Sequence, residues 1–112
     1  MITVVNKKTA GPPLDDSIRI YVGRPTPLGN PFSHMNNTLA QFLVKDREEA
    51  VAKYRVWLLD EIKRSPEINH KIHMIKDLAR NSNIELECWC YPQPCHADVI
   101  KQVIEAELKN AP

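Results

Sequence analysis

Three sulfurs and an imidazole fall within nine residues in the stretch CWCYPQPCHADV, Cys88 to Val99. Three chemistries fit such a cluster. Cys88 and Cys90, two apart on an extended strand, point the same way, and with Cys95 and His96 they make four ligand types that zinc accepts. The spacing C-x-C-x4-C-H matches no common zinc knuckle, and the adjacent pair Cys95 and His96 is awkward for joint ligation. A structural zinc module is therefore kept as an alternative, and no metal or cofactor is assigned. In the second chemistry, Cys95 and His96 open a helix, where free amides and the positive dipole end favour an anion and lower a thiol's pKa. Cys95 is then a candidate nucleophile, His96 a candidate catalytic or phosphate-binding group, and Asp98 a candidate to orient His96 or act as general base. In the third, the cysteines are small buried hydrophobes and Asp98 merely complements the helix dipole. That reading suits Cys88 best, and Cys90 is kept as a pocket residue.

A second unusual segment, VGRPTPLGNPF, has three prolines, a glycine and an asparagine in the nine residues after Gly23. Pro25, Pro27 and Pro31 stiffen it, and Gly29 permits an approach that a side chain would block. Arg24 carries its only charge, and a rigid turn presenting one guanidinium suits a phosphate or carboxylate. Asn30 can bond its own backbone or a base edge. The candidate ligand-binding set is Gly23, Arg24, Pro25, Leu28, Gly29, Asn30 and Cys90. The competing reading is a structural turn whose arginine pairs with an acid elsewhere.

The flanking patterns show what must position these loops. Ile2, Val4 and Val5 form a short strand that stops before Gly11-Pro12-Pro13. Ser17 to Arg24 alternates Ile18, Ile20 and Val22 against Arg19 and Tyr21, as a half-buried strand does. Residues 33–45 read as a short helix or a covering flap, with Leu39, Phe42 and Leu43 apolar and His34 exposed. Asp46 to Glu49 is a capping box, and Ala50, Tyr54, Trp57, Leu58 and Ile62 follow at helical spacing to about Arg64. Ser65-Pro66 starts another helix, with Ile68, Ile72, Ile75 and Ala79 as its inner stripe. Ile84 to Cys90 alternates again, and Val99, Ile100, Val103, Ile104 and Leu108 define the last helix. The order β-β-α-α-β-α predicts one α/β domain over residues 1–112, a small two-layer or three-layer Rossmann-like sheet with helices packed over it. Ligands of open α/β sheets sit off the carboxyl ends of strands, so parallel neighbours would bring both loops to one rim.

The composition is that of a soluble globular chain: 43% apolar, 26% charged and a net charge of +1. Nucleic acid polymer is not expected as a partner, since the only local basic patch is His70, Lys71, His73 and Lys76 on a helix. No apolar run reaches membrane length, and MITVVNKKTAG lacks the apolar core of an export signal. An odd number of cysteines, 3, without such a signal argues for free thiols in the cytoplasm. Few aromatics make self-association into a homo-oligomer a reasonable expectation.

YVGRPTPLGNPF, DREEAVAKYRVWLLDEI and LECWCYPQPCHADVI, in that order and spacing, resemble domain-of-unknown-function family 4326, a group of roughly hundred-residue bacterial and phage proteins. The resemblance spans Ile2 to Val103. It implies a phage or mobile-element origin, hence a host cytoplasm as the place of action, and it implies no particular reaction. The expectation is a protein that binds, and hydrolyses or modifies, a nucleotide-like or other anionic small molecule between the two loops. The alternative is a phage protein without catalysis that sequesters a host nucleotide signal or binds a host protein.

Overall fold

The structure, a computed structural model, describes residues 1–33 and 42–110. Its elements are β1 (Ile2–Asn6), β2 (Ser17–Tyr21), β3 (Phe32–Ser33), β4 (Phe42–Leu43), α1 (Arg47–Arg64), α2 (Pro66–Ala79), β5 (Asn83–Cys88) and α3 (His96–Asn110). The expected order holds, with the small parallel β3–β4 pair added where a flap or short helix was expected. His34 and Leu39 lie outside the described residues.

β5 is the centre of a three-stranded sheet, β1-β5-β2, parallel to both neighbours. The register explains the alternation in the sequence. Ile2, Ile84 and Ile18 form one cross-strand row, and Val4, Leu86 and Ile20 the next. Both rows enter the core with Ile68, Ile72 and Ile75 of α2 and Val99, Ile100 and Ile104 of α3. The intervening rows carry Glu85 with Arg19 and Glu87 with Tyr21. Arg19 donates from Nε at 2.9 Å and Nη2 at 2.7 Å to Glu85, which is why a carboxylate can sit there almost fully buried. The same guanidinium bonds the carbonyl of Gly11, tying the β1–β2 connection over that face. α2 and α3 pack on the sheet, and α1 rests on those two helices.

Local chemistry sets the helix ends. Asp46 accepts from the Glu49 amide at 2.8 Å, while Glu49 reaches back to the amide of Lys45, one residue before the cap. Ser65 serves two helices: its amide closes α1 on Glu61 and its hydroxyl accepts from Ile68 at the start of α2, with Pro66 at the first position. The tight α1–α2 joint lays α1 across both other helices. Both edges of the site are shorter as strands than the alternation implied. β2 ends at Tyr21 because the Gly23 carbonyl is taken by the amide and hydroxyl of Thr26, and β5 ends at Cys88 because Asn6 binds the carbonyls of Trp89 and Tyr91.

Candidate functional site

Because β2 and β5 are parallel neighbours, the proline loop and the cysteine loop leave the same edge of the sheet. They meet. His96, at the first turn of α3, donates from Nε2 to the Val22 carbonyl at 2.6 Å, since a carbonyl can only accept. Tyr54 of α1 locks the junction from behind, its hydroxyl on the Leu28 carbonyl at 2.6 Å and its ring edge-on to His96 at 5.2 Å. Between the loops and the start of α1 lies a cavity of ≈ 390 Å³.

Of the sequence candidates, Gly23, Arg24, Asn30, Cys90, Cys95 and His96 line that cavity. Pro25, Leu28 and Gly29 stand behind the wall. Leu28 is core, and Gly29 has a packing reason to be glycine: a Cβ there would lie 2.9 Å from the Arg24 Cα. Asn30 bonds its own chain rather than presenting its amide to the cavity. Its Nδ2 donates to Ala50 at 3.2 Å and its Oδ1 accepts from the Phe32 amide at 2.9 Å, so it hinges the loop to α1. Tyr21 curls over Gly23 to donate to the Arg24 carbonyl at 2.7 Å, a path that any Cβ on Gly23 would block.

Arg24 finds no carboxylate among the described residues. Its Nη1 reaches only the Asn30 carbonyl, at 3.3 Å. Arg47, which the sequence reading did not select, faces the same cavity and is likewise without a carboxylate among the described residues. The signal was available: a basic residue at the first position of a helix opposes the macrodipole and needs a reason to be there. Among the described residues no Asp or Glu lines the wall. Two guanidiniums thus face an acid-free hollow together with the rings of Tyr21, Phe32 and Trp89, and Trp89 is 56% exposed.

The cysteine loop departs from expectation in its detailed roles. Among the described residues Asp98 makes no hydrogen bond to His96. Its carboxylate accepts from the Cys95 amide at 3.0 Å, while the Cys95 sulfur accepts from Ala97 at 3.2 Å. This is a capping box with sulfur in place of a hydroxyl, and it commits Asp98, off the cavity wall, to backbone. The amides of Cys95 and Ala97 are therefore already used. Nor is Cys95 an activated thiol. Hydrogen bonding to Cys88, whose sulfur is 3.2 Å away, and to Cys90, together with burial, pushes it far up. Its neighbours move the other way. Cys90 is drawn down to about 6, first by the hydrogen bond from Cys95, then by Arg47 and Arg24 against the effect of burial. Cys88 is drawn down to about 7 by the same donor, but Cys95 has one proton to give, and only Cys90 has arginines beside it. Burial also lowers His96, which stays neutral with its proton on Nε2. Among the described residues no three His, Cys, Asp or Glu side chains form a metal-binding group. No helix is long and apolar enough to cross a membrane.

No curated protein and no solved structure matches the chain. The family model for a domain of unknown function, DUF4326, matches residues 5–106, which include both loops, α1, α2 and most of α3, and the chain belongs to that family.

Proposed function

We propose that the protein binds a nucleotide-like or otherwise anionic small molecule in the cavity between the proline loop and the start of α3. One observation carries the reading: Arg24 and Arg47 open on a hollow to whose wall the described residues contribute no carboxylate that could neutralise them. Guanidiniums in that condition favour phosphate or carboxylate oxygens, and the flanking rings of Tyr21, Phe32 and Trp89 suit a flat heterocycle. The volume, ≈ 390 Å³, is within the usual range of small-molecule pockets. Calorimetric titration with a panel of nucleotides tests it. The native chain is expected to bind at least one of them, and Arg24→Ala and Arg47→Ala each to weaken binding about tenfold or more, the order expected for a lost charge-assisted hydrogen bond. Absence of binding across the panel, or indifference to both substitutions, removes the reading.

A second reading, sequestration without catalysis by an accessory protein of a phage or its host, is favoured by the absence of acid among the described residues of the wall and the capping role of Asp98. Chromatography of the bound ligand separates the two. Intact ligand after long incubation supports sequestration, and a released fragment supports hydrolysis or modification.

A further inference from the structure

The cysteine cluster contains chemistry that ligand binding does not use. Cys90 is the half-buried sulfur, on the wall of the same cavity as the guanidiniums of Arg47 and Arg24. Cys95 shares that wall and interacts with Cys90, but is 3% exposed. Cys88 is fully buried and off the wall, 3.2 Å from the Cys95 sulfur. The three thiols therefore differ in access: one open, one nearly closed, one sealed.

We infer that Cys90 and Cys95 form a peroxide-reducing dithiol, in which Cys90 attacks a hydroperoxide entering the cavity and Cys95 resolves the product. The Cys90 thiolate attacks the terminal oxygen, the O–O bond breaks, and the departing alkoxide takes a solvent proton to leave as alcohol. Arg47 and Arg24 stabilise the thiolate and the negative charge that develops on the departing oxygen. Cys90 is then a sulfenic acid. The Cys95 sulfur attacks it, the S–O bond breaks, and hydroxide leaves with the Cys95 proton as water, giving a Cys90–Cys95 disulfide. Two thiols supply the two electrons that the peroxide takes up, and two equivalents of a small-molecule thiol reset the pair by exchange, leaving joined as their own disulfide. The lowered Cys90 pKa agrees, since thiolate is the reactive form near neutral pH. A phosphoryl-transfer role for the same thiolate is less well served, because the described residues of the wall include no carboxylic acid to protonate a leaving group.

The experiment is to treat the reduced native chain with one equivalent of hydrogen peroxide or cumene hydroperoxide, quench with an alkylating agent, and map the thiols by mass spectrometry. The expected result is loss of two thiols per peroxide, a Cys90–Cys95 linked peptide, and a rate at least about tenfold above that of the urea-unfolded chain. Cys95→Ser keeps a good helix cap and should accumulate a Cys90 sulfenic acid that a 1,3-dione traps. Cys90→Ser should fall to the unfolded rate, Arg47→Gln should slow the native rate, and Cys88→Ala should leave the linkage intact. A Cys88–Cys95 linkage in its place, or a native rate equal to that of the unfolded chain, overturns the inference.

Discussion

The two loops leave neighbouring strands at the same edge of the sheet, yet they are held by different means. The proline loop is braced mostly by backbone: Thr26 closes it on Gly23, Gly29 packs on Arg24, and Asn30 bonds Ala50 and Phe32. Its one charged side chain is left facing the cavity. In the cysteine loop the side chains themselves do the holding. Cys95 and Asp98 cap α3, His96 bonds the Val22 carbonyl, and Asn6 reaches across from β1 to brace Trp89 and Tyr91. Only Cys90 and Trp89 remain uncommitted to backbone on that side of the cavity. A residue's type thus says little about its role until its hydrogen bonds are assigned, and the groups left over, Arg24, Arg47 and Cys90, form the reactive surface.

Removing the braces tests that contrast. Asn30→Ala removes the two side-chain hydrogen bonds that tie the loop to Ala50 of α1 and to the Phe32 amide, and should destabilise the fold by about 2 kcal/mol in chemical denaturation. A loss below ~1 kcal/mol would mean that the proline loop stands without its hinge. For His96 the contrast is sharpened by pH. Its folded pKa lies below the ordinary value near 6.5, so the unfolded chain takes up the proton first. Stability should therefore be complete above that value and fall as pH drops below it, by up to ~1.4 kcal/mol per unit until the folded pKa is reached. Denaturation curves at several pH values should show this slope in the native chain and a reduced one in His96→Gln. Asp98→Ala, which removes half of the capping box, should cost about 1 kcal/mol and leave nucleotide affinity nearly unchanged. A large loss of affinity without loss of stability would return Asp98 to the site.

Much of the frame was legible in the residues. The capping box at Asp46, the Ser65-Pro66 restart and the row alternation of Ile18, Ile20, Ile84 and Leu86 each encode a local preference that the tertiary fold respects. The convergence of two distant loops was legible through the parallel-strand rule, because strand ends at one edge cannot avoid each other. The detailed roles were less so. Cys95-x-x-Asp98 has the spacing of a capping box, but sulfur is not among the usual cap acceptors, so its capping role was overlooked. Arg47 carried a local signal, a base at the first position of a helix, but that its first turn opens on this cavity is a fact of packing. The contrast between Cys90 and Cys95 is also tertiary, since it depends on which sulfur has arginine neighbours.

The central strand of the sheet is the last strand in chain order. As the polypeptide leaves the ribosome, β1 and β2 emerge without a pairing partner between them, and both wait for residues 83–88. The α1–α2 hairpin, built from near neighbours, has its contacts available much earlier. Such long-separation pairing slows the final step of folding. Until β5 is synthesised, the nascent chain holds a helical hairpin beside two unpaired strand segments, the kind of species that chaperones recognise.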